Sequence, residues 1–223
     1  MLKKILIGAA VIIVALCGVI AMQPATYTVQ RSATFKAAPD ITFALVNDFH
    51  RWEGWSPWQK LDPNQKTTFE GAATGQGAKY GWSGNDQVGE GRMEIEESKT
   101  NELVRIKLEF IRPFPSTSPT TFTFSPAAEG VTVTWKMDGT NDFMGKAFCL
   151  FVNMDTMLGA DFDKGLAAMG KIAEAETQKR AEAEAAAKLA AEKAAAEAAA
   201  AGIAPAEGEP APAGGQTVAA PTP

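Results

Sequence analysis

Val104, Ile106, Leu108 and Phe110 alternate with Arg105, Lys107 and Glu109, and Val131, Val133, Trp135 and Met137 alternate with Thr132, Thr134, Lys136 and Asp138. A period of two turns one set of side chains to a dry face and the other to water, the pattern of a half-buried β-strand. Weaker alternation marks residues 79–82, 88–98 and 117–125, the last with Phe122 and Phe124 inward. Gly- and Pro-containing stretches at 71–77, 84–86 and 127–130 separate these runs as turns. The middle of the chain is therefore expected to be a meander of about six or seven antiparallel strands, whose dry face needs a cover.

The cover follows the last strand. Phe148, Phe151, Val152, Asp155, Leu158, Phe162, Leu166, Met169 and Ile172 recur at three- and four-residue steps, one face of a helix, with Asp142 placed as its N-cap. The spacing predicts one long helix starting near Phe143. Gly159, Gly165 and Gly170 interrupt its apolar stripe. A stripe about 10 Å across cannot fill a strongly curved sheet, so an apolar cavity is expected between sheet and helix. Ahead of the strands, residues 26–35 read as a first strand. Ala38-Pro39-Asp40 starts a short helix carrying Ile41, Phe43, Leu45 and Val46, and a second short helix or loop holds Phe49, His50, Trp52 and Trp55 before Ser56-Pro57-Trp58 ends it.

Residues 5–22, ILIGAAVIIVALCGVIAM, carry no charge and follow Lys3 and Lys4. At helical rise they cover roughly 27 Å, close to the hydrocarbon thickness of a bilayer. The lysines are expected to hold the N-terminus in the cytoplasm and place the domain on the outer side of the inner membrane. The competing reading is a cleaved signal peptide, with Val19-Ile20-Ala21 as the cleavage region; a lipoprotein box at Cys17 is opposed by the bulk of Leu16. Residues 173–201 are more than half alanine, with Glu176/Arg180 and Glu184/Lys188 at i,i+4, and are expected to form a helical arm projecting into solvent. Residues 202–223 mix Ala, Pro, Gly and Glu and are expected to be a disordered tail. The expected organisation is a transmembrane anchor over 1–22, a domain over 27–172, the arm and the tail.

Charge excludes one class of partner. Of the net −5, the two N-terminal lysines give +2 and the residues after Ile172 give −4, which leaves −3 for a middle without a Lys/Arg cluster. Nucleic acid is not expected as a partner. The single histidine, His50, removes most nucleophile–base schemes, although Asp48 lies two residues away as a candidate acid/base partner. One His and two separated Cys do not make a zinc site, and no metal or other cofactor is expected. Residues 139–146 have the wrong glycine spacing for a phosphate loop, and Ala147 stands where Ser or Thr is required. The pairs Gly75/Gly77 and Gly89/Gly91 read as turns or bulges, and Glu94 and Glu96 as facing water.

Trp52, Trp55, Trp58, Tyr80, Trp82 and Trp135 form the most informative chemical cluster, either packed as core or lining the mouth of a pocket for an apolar guest. Phe110 and Met137 from the sheet, with Phe148 and Phe151 from the helix stripe, complete the expected pocket lining. Met144, Met154, Met157 and Met169 add pliable side chains near the helix.

The order β-α-α-β-β-β-β-β-β-α resembles the helix-grip fold of the START-like (SRPBCC) superfamily, in particular the bacterial polyketide cyclase/dehydrase and lipid-transport-like proteins. The resemblance is carried by Arg31-Ser32-Ala33-Thr34-Phe35, Ala38-Pro39-Asp40, Phe43, Val46-Asn47-Asp48, Trp52 and Trp55-Ser56-Pro57-Trp58. It continues through Gly89-Glu90-Gly91, Thr134-Trp135 and Phe143-Met144-Gly145-Lys146. It implies an α+β architecture, a curved antiparallel sheet wrapped around a long C-terminal helix, with a cavity for a hydrophobic small molecule or lipid between them. The leading expectation is a membrane-tethered domain that binds such a ligand without catalysis. One alternative is a cyclase or dehydratase using Asp48, His50 or Arg105, although Arg105 alternates outward. Another is an envelope interaction protein acting through the arm, whose protein partner the sequence does not name.

Overall fold

The computed structural model describes residues 1–200; the tail expected over 202–223 lies outside them. Helix α1, Leu2–Ala21, comprises the apolar run. Strand β1, Thr26–Phe35, leads to helix α2, Pro39–Asn47, with proline in its first turn, and then to a 3-10 helix, Phe49–Gly54, capped by the Asp48 side chain. Strands β2 (Lys66–Gly71), β3 (Ala78–Ser83), β4 (Glu90–Lys99), β5 (Leu103–Arg112), β6 (Ser116–Ala127) and β7 (Gly130–Thr140) follow. They form one seven-stranded antiparallel sheet in the order β1-β7-β6-β5-β4-β3-β2. Helices α3 (Phe143–Cys149) and α4 (Met154–Ala200) complete the chain. Residues 1–179 form one compact unit, and residues 180–200 belong to a second, helical and exposed.

The alternation fixes the faces as expected. Val104 and Ile106 are buried on β5, as are Val131, Val133, Trp135 and Met137 on β7. Arg105 faces outward, paired with Glu97. Phe162, Leu166, Met169 and Ala173 of α4 and Ile41, Leu45 and Val46 of α2 close the inner face.

The helix after the sheet is not continuous, which corrects the single helix expected from Phe143. Asp142 does cap α3, its side chain accepting from Gly145 N–H at 2.7 Å. Asn153 then accepts from Thr156 N–H at 3.0 Å and starts α4 afresh, so a second N-cap outcompetes continuation of the apolar period. The α4 glycines are also not gaps. A Cβ at Gly159 would overlap the Arg31 guanidinium, one at Gly165 would stand 2.9 Å from the Trp135 ring, and one at Gly170 would stand 2.7 Å from Phe35. Each glycine lets a sheet side chain press against the helix backbone. Arg31, beneath Gly159, binds Asp155 at 2.8 Å and Asp163 at 3.4 Å.

Candidate functional site

A cavity of about 330 Å³ opens between the sheet and the start of α4. Its sheet wall follows from the period of two: Tyr80 and Trp82 share a face of β3, as do Leu108 and Phe110 of β5, Ser116 and Thr120 of β6, and Trp135 and Met137 of β7. Tyr27 of β1 and Met93 of β4 extend it, while Met154, Leu158 and Phe162 of α4 face it. Trp52, Ser56, Trp58, Gln59 and Gln65, in and after the 3-10 helix, close one side, and Gln87 and Val88 close another.

Two glycines shape that wall. Gly139 is the cross-strand partner of Tyr27, and a Cβ there would stand within 2.4 Å of the Tyr27 ring. Gly91 is the partner of Trp82, and a Cβ there would stand 2.4 Å from the indole. Missing side chains thus let two wide rings lie along the sheet and leave volume above them. Trp82 donates from Nε1 to the Val88 carbonyl at 2.9 Å, and the Asp62 carboxylate, 7% exposed, accepts from Asn85 N–H at 2.7 Å and Asn64 N–H at 2.9 Å. These bonds hold the wall segment containing Gln87 and Val88.

The polar groups of the lining are neutral. The Tyr80 hydroxyl accepts from Gln59 Nε2 at 2.8 Å and Gln65 Nε2 at 3.1 Å; burial raises its pKa and the two amides oppose the shift. Burial likewise raises the pKa of Tyr27, opposed by a hydrogen bond with the Ser118 side chain. Trp135 Nε1 is buried with no hydrogen-bond partner, a desolvated donor in the wall. Its ring stacks on Phe122 at 4.9 Å, and Trp58 meets it edge-on at 5.8 Å.

Of the ten residues expected to line the pocket, Trp52, Trp58, Tyr80, Trp82, Phe110, Trp135 and Met137 stand around this cavity. Trp55 does not: it is 2% exposed in the core, and its Nε1 donates to the Leu45 carbonyl at 2.9 Å. Trp52 donates to the Val46 carbonyl at 3.0 Å, so both indoles satisfy carbonyls at the end of α2. Phe148 and Phe151 also do not line the cavity; they are 51% and 86% exposed, because the chain breaks between α3 and α4. The sequence reading missed Tyr27, which alternation along β1 could have found, and Gln59, Gln65 and Gln87, which lie in irregular segments without periodicity. The residues of the enzymatic alternative stand elsewhere. His50 Nδ1 lies 2.9 Å from Asp48 Oδ1 and the imidazole stacks on Phe69 at 4.0 Å, in a shallow surface depression beside Arg51, Glu53 and Lys60. Among the described residues, no group of three His, Cys, Asp or Glu side chains is placed to hold a metal.

Residues 26–174 match the profile of a family described as "Polyketide cyclase / dehydrase and lipid transport". No curated protein is similar enough to count as a relative. Among solved structures, SA2116 of Staphylococcus aureus, a protein of unknown function, superposes with a TM-score of 0.51 at 13% identity, covering 71% of this chain and 99% of that one. CV1439 of Chromobacterium violaceum gives a TM-score of 0.49 at 16% identity, covering 66% and 96%. The di-domain ARO/CYC protein StfQ from the steffimycin biosynthetic pathway gives 0.49 at 11% identity, covering 68% and 52%. At 13% identity the likeness to SA2116 is one of fold.

Proposed function

The chain belongs to the polyketide cyclase/dehydrase and lipid-transport family, and from that premise we propose that it binds a hydrophobic small molecule or lipid between its sheet and α4, without catalysing a reaction on it. The observation that carries this reading is the lining itself: among the described residues, no Asp, Glu, Lys, Arg or His side chain borders the cavity. Its volume of about 330 Å³ lies at the small end of the ligand-pocket range of about 300–1,000 Å³. Wide aromatic faces recognise an apolar body, and the Gln59 and Gln65 amides beside the Tyr80 hydroxyl receive one polar end. General acid–base work needs a titrating group within hydrogen-bond reach of the guest. The cavity offers two tyrosines whose pKa values burial raises, so both are protonated at neutral pH.

The same proposal makes α1 a single membrane span. It has 20 residues, among which an 18-residue stretch has mean hydropathy 2.7 and is 6% buried within the protein. Lys3 and Lys4 orient it with the domain on the periplasmic side of an inner membrane. We divide the chain into this anchor, the START-like domain over 27–172, the alanine-rich arm over 173–201 and the tail beyond it.

Organic extraction of full-length protein purified from membranes, followed by mass spectrometry, tests the binding. A stoichiometric apolar compound is expected. Its absence, together with failure to take up a fluorescent fatty acid from vesicles, overturns the binding reading. Retention of the chain in membranes after a high-salt wash is expected of a span, and recovery of soluble protein beginning near Met22 overturns the anchor.

A further inference from the structure

Helix α3 is the only α-helix of the described residues that buries none of its side chains. It is nevertheless apolar. Residues 143–152 read FMGKAFCLFV, with Lys146 as the single charge. Phe143 is 50% exposed, Met144 67%, Phe148 51% and Phe151 86%. A helix that faced water would carry polar residues on its outer side, and a contiguous exposed apolar patch marks a surface that something covers.

Its attachment ties it to the apolar helix. The Lys146 ammonium donates to the Ala21 carbonyl at 3.1 Å, so the one charge of the segment is used at the C-terminal end of α1. Asn141 N–H donates to the Ala25 carbonyl at 2.8 Å, and its side-chain amide to the Pro24 carbonyl at 3.2 Å. These bonds fix α3 beside the point at which the apolar helix ends. The sheet register adds a second element at the same end. Thr26 pairs with Thr140 and Phe110 with Ser116, so the turn between β5 and β6 stands there too, with Phe114 at its tip 77% exposed. Tyr27 and Ser116 of the cavity wall lie at this end of the sheet as well. Aromatic rings and a lysine at the end of a span are the residues suited to the interfacial layer of a bilayer.

We propose that α3, the loop leading to α4 and the Phe114 turn are immersed in the outer interfacial layer of the membrane that α1 crosses, with Phe148, Phe151 and Phe114 reaching the acyl chains. This rests on reading α1 as a span. It places the mouth of the cavity against the lipid surface, so that an apolar guest enters from the bilayer without crossing water.

Spin-label depth measurement on the full-length chain tests it. With Cys17 and Cys149 replaced by serine, a single label is introduced through Phe151→Cys, Phe114→Cys, Ile12→Cys or Ala128→Cys, and the protein is reconstituted into phosphatidylcholine/phosphatidylglycerol vesicles. Ala128 is the control, in the β6–β7 turn at the opposite end of the sheet. All four positions are exposed, so labelling leaves the fold intact. The expected result is loss of relaxation by a water-soluble nickel chelate, and gain of relaxation by oxygen, at 12, 114 and 151, with nickel relaxation kept at 128. Nickel relaxation at 114 and 151 with lipid depth at 12 overturns the inference and leaves the span standing. Nickel relaxation at 12 as well overturns the span and the inference together. Dipolar broadening at 151 that vanishes on dilution with unlabelled protein assigns the patch to a second copy of the chain and overturns the bilayer as its occupant.

Discussion

The indole of Trp135 lies face to face with the ring of Phe162, their centroids 4.0 Å apart and their planes within 4° of parallel. This contact joins β7 to α4 at the back of the cavity, and Gly165 permits it by leaving the helix backbone open beside the indole. The same two rings therefore hold the domain together and bound its empty volume.

Phe162→Ala should destabilise the domain by about 3–5 kcal/mol, the usual cost of deleting a buried phenyl group with incomplete collapse around it. Urea unfolding followed by tryptophan fluorescence measures this. A loss below about 1 kcal/mol would mean that the back wall is loosely packed and that the stack contributes little.

Met137→Trp should cost less than about 1 kcal/mol, because its side chain borders open volume, and should abolish uptake of a fluorescent fatty acid. Overpacking a solid core costs about 1–3 kcal/mol, so the unfolding midpoint separates the two cases. Phe151→Trp, exposed outside the cavity, should change neither quantity. Retained uptake in a stable Met137→Trp protein would move the ligand site elsewhere.

Gly91→Ala should destabilise by about 1–3 kcal/mol, since the new methyl group meets the Trp82 ring and stands 2.5 Å from the Glu109 carbonyl oxygen, a backbone atom that cannot swing away. For Gly139→Ala the nearest atoms to the new methyl group belong to the Tyr27 side chain, which can swing, so it should cost less, while shrinking the cavity as that ring is pushed inward. Equal costs in parallel denaturation curves would contradict this ordering.

Stability should fall on the acid side through specific carboxylates. Hydrogen bonding from the Arg31 guanidinium lowers the pKa of Asp155, and hydrogen bonding from Lys136, then Thr28, lowers that of Asp138. The unfolded chain binds these protons at higher pH than the folded one. The stability they contribute is therefore complete above the ordinary aspartate value of about 3.9 and is lost as pH falls through the lower folded values. Asp155→Asn should flatten the decline of the unfolding midpoint over that interval, and an unchanged decline would assign the acid sensitivity to other groups.

Legibility of the fold in the sequence tracked how local each cause was. Alternation along residues 104–110 and 131–138 placed Val104, Trp135 and Met137 inward, because a two-residue period is decided by neighbours on the same strand. The Asp142 cap was legible for the same reason. Phe148 and Phe151 misled because their spacing continues the α4 period in register, while the interruption comes from one asparagine side chain bonding to Thr156 N–H. Gly159, Gly165 and Gly170 could not be read correctly at all. A glycine in a helix marks either a void or a close approach, and Arg31, Trp135 and Phe35, far away in sequence, decide which. Gln59 and Gln65 converge on Tyr80 from irregular chain, where no period constrains direction.

The segment carrying Gln87 and Val88 is fastened by the Asp62 carboxylate, by the Trp82 N–H, by the Arg112 guanidinium on the Gly84 carbonyl and by turn bonds to Asn85 Oδ1, and by no strand ladder of its own. This side of the cavity is consequently a partition, whereas the sheet wall behind it is masonry. Under the binding reading proposed above, substitutions in this segment should alter the length of guest accepted while the seven-stranded frame stays untouched.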